Sequence, residues 1–450
     1  MTPETLPTIS EIAPRLARGE VRSENLTEEA LARIAELNPQ LNAFITVTAD
    51  EALGAAREAD RHVAAGRAIG PLHGIPLSLK DLIDMRGVPT TAASRLRADH
   101  VALADAFVTA RLREAGAVFV GKTNLHEFAF GTTSEDSGWG PARNPVDPTR
   151  SPGGSSGGSA IAVRTGMSFA SIGTDTGGSI RIPAAACGVI GLKPAWGEIP
   201  LDGVVPLSRQ MDHAGPLARC VDDAALLYDV MRGEAPAPLD EVRLWGCRFG
   251  RLTGSFTDRL DEGVERIVDG ALDRLRKAGA SISEATLPHA NDIAPVYLHL
   301  VLADAAAYHA SMLQERPAAY TDNVRLRLEM GRYVLAEDYI RALQGREVIA
   351  HEVSRALQDV DALVLPALAI PAPTVGEQSV AVKGGRESVR TVMLRCTQPF
   401  NLSRHPAIAL PCGLTPAGLP VGLQIVGRIG ATRSLLSVAR SVETALNSHA

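Results

Sequence analysis

Residues 150–185 read RSPGGSSGGSAIAVRTGMSFASIGTDTGGSIRIPAA, with two glycine–serine clusters, GGSSGG and TGGS, on either side of an apolar, helix-compatible stretch. Gly–Ser tracts ordinarily act as flexible linkers between separate bodies. These two are divided only by AIAVRTGMSFASIG, a segment with the character of core, so there is nothing for a linker to join. What glycine supplies in such a place is sharp turning, close backbone approach and bare N–H groups. The chain must therefore fold with both clusters pressed against its interior.

Several chemistries are excluded by their own motifs. GGSSGG is not followed by Lys-Ser/Thr, so it is no phosphate loop, and no strand-borne GxGxxG with a downstream acid is present. No lysine has a serine three residues before it, which removes the Ser-x-x-Lys arrangement. The segment Thr176-Gly177-Gly178-Ser179, at a strand-to-helix junction, would aim several N–H groups into one small space beside a hydroxyl. An oxyanion hole with a serine nucleophile needs that combination. The serine also needs a base, and none of the 11 histidines lies in a GxSxG-type context. Of the 45 basic residues only five are lysine: Lys80, Lys122, Lys193, Lys277 and Lys383. Arginine carries the surface charge, so a lysine inside an apolar run such as GIPLSLKDLID has a reason arginine cannot satisfy, namely a removable proton.

The chain of 450 residues has 45% apolar and 21% charged residues and a formal charge of −6, an ordinary globular balance that speaks against nucleic-acid and acidic-membrane partners. Its five scattered cysteines form no CxxC or Cys/His pattern, so free thiols in a reducing compartment are expected and structural zinc is not. The N-terminal residues lack a basic-then-apolar secretory pattern, and a cytoplasmic location is expected. Helical periodicity marks the first sixty or so residues, then 221–232, 256–279, 295–345 and 431–447. Buried strands are expected near residues 75–79 and in AVFVGKTN, FASIGTDT, EVRLWGCRFG, ALVLPALAI, PAIALPCG and GLPVGLQIVGR. This alternation predicts an α/β layered structure with a mostly buried sheet. Residues 1–68 are expected to form a helical segment packed on a catalytic domain, 69–450, in one domain overall. Residues 376–391, polar and Gly-rich, are expected to form a surface loop.

The run GGSSGGSA…GTDTGGSIRIPAAACGVIGLKP resembles the signature of the amidase signature family of serine hydrolases. GIPLSLKDLID, GKTNLHEFAFG, DHAGPLAR and PAIALPCG…GLPVGLQIVGR carry the likeness over nearly the whole chain. The resemblance implies a single large α/β/α domain with a mixed central sheet and a Ser–Ser–Lys triad. Ser179 matches the nucleophile, Ser155 the bridging serine that follows a cis peptide bond, and Lys80 the base, with Thr176, Gly177, Gly178 and Ser179 as the oxyanion hole. No metal or organic cofactor is implied. The activity implied is hydrolysis of an amide, anilide or carbamate (urethane) bond in a small-molecule substrate; a homodimer is compatible with it.

Two other functions stay open at this stage: the A subunit of a glutamyl-tRNA amidotransferase, and a non-catalytic binding protein on the same scaffold. GVVPLSRQMDHAGP departs from the form usual in that subunit. Ser403-Arg404-His405 stands where many relatives carry a small apolar pair. Ser156 and Ser159 read as capping or packing residues, and Asp175 with Arg181 as an ion pair holding the loop. Lys122, Lys193, His73, His126, His213 and His405 read as structural. The stretches 295–345, 376–391 and 398–406 are where substrate choice is expected to reside.

Overall fold

The computed structural model describes residues 6–67 and 70–448. Its strands are β1 (Phe44–Val47), β2 (Pro76–Lys80), β3 (Val118–Thr123), β4 (Ala170–Asp175), β5 (Ile190–Lys193), β6 (His213–Ala218) and β7 (Arg248–Leu252). They continue as β8 (Ser281–Ala285), β9 (Ala362–Pro366), β10 (Ser379–Val382), β11 (Gly385–Ser388), β12 (Ala407–Leu414) and β13 (Pro420–Val426). Among the described residues eleven of them form one sheet in the order β1-β3-β2-β4-β6-β5-β12-β13-β9-β7-β8. β2 runs parallel to β3 and β4, and β7 parallel to β8 and β9. The other pairs are antiparallel, so the sheet is mixed, as the resemblance implied.

Every residue of β2 through β6, β9 and β13 is buried. Side chains alternate across a strand, so burial of all of them requires cover on both faces of the sheet. Helices supply it, giving the expected α/β layering. Two short ones bear directly on the site. Gly157–Thr165 begins directly after Ser156, and Arg181–Cys187 begins two residues after Ser179. Each glycine–serine cluster is thus the entry to a buried helix.

The N-terminal helices Ile9–Ala17, Ser23–Leu41 and Ala49–Ala64 follow the sequence pattern. The first is started by a capping box, in which Thr8 and Glu11 each satisfy the other's backbone N–H. It is tied to the body by the buried carboxylate of Asp223, which accepts from the N–H groups of Ile9 and Ser10 and from Ser10 Oγ. One strand, β1, interrupts this region and pairs antiparallel with β3 as the sheet's edge, an element the helical reading did not contain. Residues 1–5 and the expected boundary between 68 and 69 lie outside the described residues.

Other differences have local causes. Residues 295–345 are not one helix but the series Ile293–Tyr308, Ala310–Glu315, Asp322–Gly331 and Ala336–Ala356. The break after the second falls at Pro317, whose ring and missing N–H cannot continue a helix. Residues 376–391 hold a hairpin, β10–β11, and the first turn of the helix Val389–Arg395, rather than a plain loop. β6, absent from the expected strands, contains Gly215 and Pro216 and still lies in the sheet's interior, Pro216 opposite Ile172 of β4. Its composition hides it, because neither residue favours a central strand. Among the described residues no helix is long and apolar enough to cross a membrane.

Candidate active site

β2 and β4 are parallel neighbours, with Leu79 opposite Ile172. Their carboxyl ends therefore emerge side by side, the usual place for ligand chemistry in a sheet of this kind. Lys80 is the last residue of β2, and Asp175 the last of β4. Lys80 is fully buried, and its Nζ donates to Ser155 Oγ at 2.7 Å and to Thr174 Oγ1 at 2.9 Å. Burial disfavours the ammonium form and draws its pKa down to about 7, against the milder opposing pull of the Asp175 and Asp212 carboxylates. A lysine at that value is half neutral near neutral pH and can receive a proton.

The Gly154–Ser155 peptide bond is cis. Ser155 is fully buried; its carbonyl accepts from His126 N–H at 3.1 Å and from Ser134 Oγ at 3.2 Å. The next residue, Ser156, donates its N–H to the carbonyl of Ser179 at 3.1 Å, so the two serine clusters are joined backbone to backbone. Ser179 is 6% exposed, whereas Lys80 and Ser155 are fully enclosed. Its Oγ makes no hydrogen bond to a described residue, so of the two serine hydroxyls it is the one left without a partner. Among the described residues no hydrogen bond joins it to Ser155 Oγ.

The loop Thr176-Gly177-Gly178-Ser179 is held from three sides. The Asp175 carboxylate accepts from Ile180 N–H, from Arg181 Nε and Nη2, and from Asn401 Nδ2. Thr397 Oγ1 donates to Gly177 O at 2.6 Å, and Thr176 Oγ1 donates to Asp212 Oδ1 at 2.6 Å. None of the four backbone N–H groups of Thr176–Ser179 donates to a described residue. Unpaired N–H groups in a buried loop are rare and call for an acceptor. A negative oxygen in the space before them would be one. Gly178 has φ +143°, and a Cβ there would fall 2.2 Å from Thr397 Oγ1; a Cβ on Gly177 would fall 2.4 Å from Tyr297 Oη. Both positions exclude a side chain.

Asp175 and Arg181 form the expected ion pair, at 2.9 Å, with no exposed side-chain surface on either. Arg181 further donates to Gln424, Asn401 and the Thr397 carbonyl, and its charge holds the Asp175 carboxyl, despite burial, well below the usual range. Asp212 is the reverse case. Burial raises it to about 6 although Thr176 and the N–H groups of Ser208 and Leu207 hydrogen-bond to it. It also lines a cavity of about 220 Å³ with Trp196, Ile199, Val204 and Arg209 on the Thr176 side of the loop.

Of the residues read as structural, His126 meets Ser155 through its backbone N–H, and the others have partners of their own. Lys122 pairs with Asp81 at 3.1 Å, and Lys193 donates to the carbonyls of Pro194 and His405. Burial lowers the pKa of His126, His213 and His405. His73 Nε2 is hydrogen-bonded to the Ala59 carbonyl. Ser156 and Ser159 pack rather than cap. Ser156 Oγ donates to Thr174 O, and Ser159 Oγ meets Thr123 Oγ1. Arg404 lies over the Trp196 ring, 4.1 Å from its centroid. The supports Thr174, Asp212, Thr397 and Asn401, and the neighbour Tyr297, were not singled out in the sequence. Thr174 lies on β4, two residues before the loop; the others are ordinary polar residues brought to it from elsewhere in the chain, and no local pattern marks them. All five cysteines are free.

A mixed, doubly covered sheet thus carries at its strand ends a buried lysine beside a cis-serine and a glycine loop of unpaired amides. The amidase family's sequence profile matches residues 25–436, and the chain belongs to that family, whose members hydrolyse amide C–N bonds. It is 38% identical to the A subunit of the glutamyl-tRNA(Gln) amidotransferase from Roseiflexus sp. (strain RS-1), covering 98% of this chain and 97% of that one. It is also 38% identical to an amidase from Pseudomonas putida, over 92% and 90% of the two chains. A crystal structure of an amidase superposes with a TM-score of 0.93 at 39% identity, covering 97% of this chain and 99% of the other.

Proposed function

We propose that the protein is a hydrolase of small amide, anilide or carbamate substrates that works through an acyl-enzyme on Ser179. The fully buried Lys80 amine, poised near neutrality 2.7 Å from Ser155 Oγ, carries this reading. Neutral Lys80 takes the Ser155 proton as Ser155 takes that of Ser179. Ser179 Oγ attacks the carbonyl carbon, and the carbonyl π pair moves onto oxygen, facing the N–H groups of Thr176, Gly177, Gly178 and Ser179. Loss of one such donor typically costs about 10²–10³ in turnover. As the intermediate collapses, the C–N bond breaks and the nitrogen leaves with the proton returned through Ser155. Water then cleaves the ester by the same relay. The test is turnover of a panel of p-nitroanilides, primary amides and aryl carbamates, with a covalent adduct sought on Ser179 after fluorophosphonate treatment. Turnover of glutamine alone overturns the reading.

The second reading is the A subunit of a glutamyl-tRNA amidotransferase. Near-full-length 38% identity to the Roseiflexus protein favours it. Glutaminase activity raised by ATP and aminoacyl-tRNA, or a second polypeptide co-purifying with the chain, selects this reading over the first.

A further inference from the structure

A cavity of about 270 Å³ lies where the helix Ile293–Tyr308 begins and the helix Val389–Arg395 ends. Of the residues lining it, Phe256, Ile293 and Gln398 are no more than 5% exposed, whereas Asp258, Asn291 and Ala294 are exposed. It therefore has a closed floor and an open, polar rim. The same two helices reach the oxyanion loop. Tyr297 stands one turn after Ile293, and Leu394 directly before Arg395, which also lines the cavity; both approach Gly177. None of the residues assigned to the reaction lines it.

Gln398 is the unusual member of the floor. A side-chain amide carries two donor hydrogens and an acceptor oxygen, and buried ones are as a rule hydrogen-bonded. The amide of Gln398 has no partner among the described residues. Charge around the cavity is also unbalanced. Arg259 and Arg395 share one carboxylate, that of Glu387, which lies 3.1 Å from Arg259. Asp258 makes no ion pair with a described residue. One positive and one negative charge are thus left over around the same space. No side chain caps the start of the helix Ile293–Tyr308, and free N–H groups there favour an anionic group.

The geometry points to a second ligand site in this cavity, for a free α-amino acid with an apolar side chain. Its carboxylate accepts from Gln398 Nε2 at the start of the helix Ile293–Tyr308, and its ammonium pairs with Asp258. Its side chain lies on Phe256 and Ile293. A simple anion would leave Asp258 unpaired and a simple cation the surplus guanidinium, whereas a zwitterion satisfies both. The size fits as well. A cavity of about 150 Å³ takes benzene, so this one has room for roughly ten non-hydrogen atoms. The site goes beyond the hydrolase reading and does not depend on it.

Isothermal titration calorimetry of the full chain with L-valine, L-leucine and L-methionine tests this. The controls are 4-methylpentanoate and 3-methylbutylamine, which are leucine without its ammonium and without its carboxylate. At least one amino acid should bind at millimolar concentration or below, and both controls about tenfold more weakly than the best of the three. Gln398→Leu should weaken that binding about tenfold. Ala294→Trp, which fills the rim from an exposed position, should abolish it, and it decides alone if Gln398→Leu does not fold. Thermal unfolding checks that each variant is folded. Absence of binding by all three amino acids overturns the proposal. Wild-type affinity in a folded variant, or a control bound as tightly as the best amino acid, overturns it too, since the ligand is then held elsewhere or by one charge only. Calorimetry needs no turnover, so the outcome holds whether or not the protein hydrolyses amides.

Discussion

The backbone N–H of Ser156 donates to the carbonyl of Ser179 at 3.1 Å. This one bond stitches together the two glycine–serine clusters, each at the start of its own helix. It sets the relative position of Ser155 and Ser179 through main chain rather than through mobile side chains. Ser155 is held in turn by Lys80 below it and by the His126 N–H at its carbonyl.

Removing members of the proposed relay should separate their roles. Lys80→Met and Ser179→Ala should abolish turnover of every substrate in the panel, while Ser155→Ala leaves a small residual rate, with kcat down by about 10³-fold or more. Steady-state kinetics on purified variants with unchanged circular dichroism measures this.

The pH profile should report Lys80. Its pKa is lowered to about 7, and the neutral amine is the form that accepts a proton. kcat/KM should therefore rise with a slope of one up to about pH 7 and level off above it. The profile measured with an uncharged amide is the check.

The same burial has a cost in stability. Between pH 7 and the ordinary lysine range near 10.4 the unfolded chain binds a proton at Lys80 that the folded protein does not, so this group's contribution to stability grows as pH rises across that window. Below pH 7 the folded amine is charged as well, and the full penalty of burying it is felt. Lys80→Met should consequently raise the melting temperature at pH 7, with the gain shrinking toward pH 10. Thermal unfolding of both proteins across that range tests it.

Breaking the Asp175–Arg181 pair should be strongly destabilising. Both side chains are fully buried, and Arg181→Met would strand the Asp175 carboxylate. A loss of about 3–5 kcal/mol is expected, read from urea unfolding, with activity lost as the loop it braces comes loose.

The two loop glycines should fail differently. Gly177 stands in ordinary backbone geometry, and its added Cβ meets chiefly the Tyr297 side chain. The low kcat of Gly177→Ala should therefore recover in part when Tyr297→Phe is added. Gly178 has a φ that L side chains rarely adopt, so Gly178→Ala should not be rescued by Thr397→Ala. The two double-mutant cycles in kcat decide this.

Much of the site was legible because glycine and lysine are informative where they are out of place. GGSSGG and TGGS, unsuited to linking, mark the two buried turns. Lys80 stands out as an unexpected lysine in an apolar strand of an arginine-rich chain. β6 escaped notice because Gly215 and Pro216 disguise a central strand, and β1 because four residues at an edge carry little pattern. The hairpin β10–β11 looked like a loop because each strand has only four residues and β11, GRES, is almost wholly unburied, so the alternation of Val380 and Val382 in β10 is too short to stand out.

The sequence by itself determined the layered α/β class and the two tight turns, which follow from local residue type and spacing, while the choice of hydroxyls and amine came from the resemblance to the amidase signature family. Only the tertiary structure decided that Thr397, Asn401 and Asp212 brace the loop and that Tyr297 reaches its edge. Those residues come from separate elements far along the chain. Their meeting is set by how the helices pack over the strand ends, and no short-range pattern encodes that.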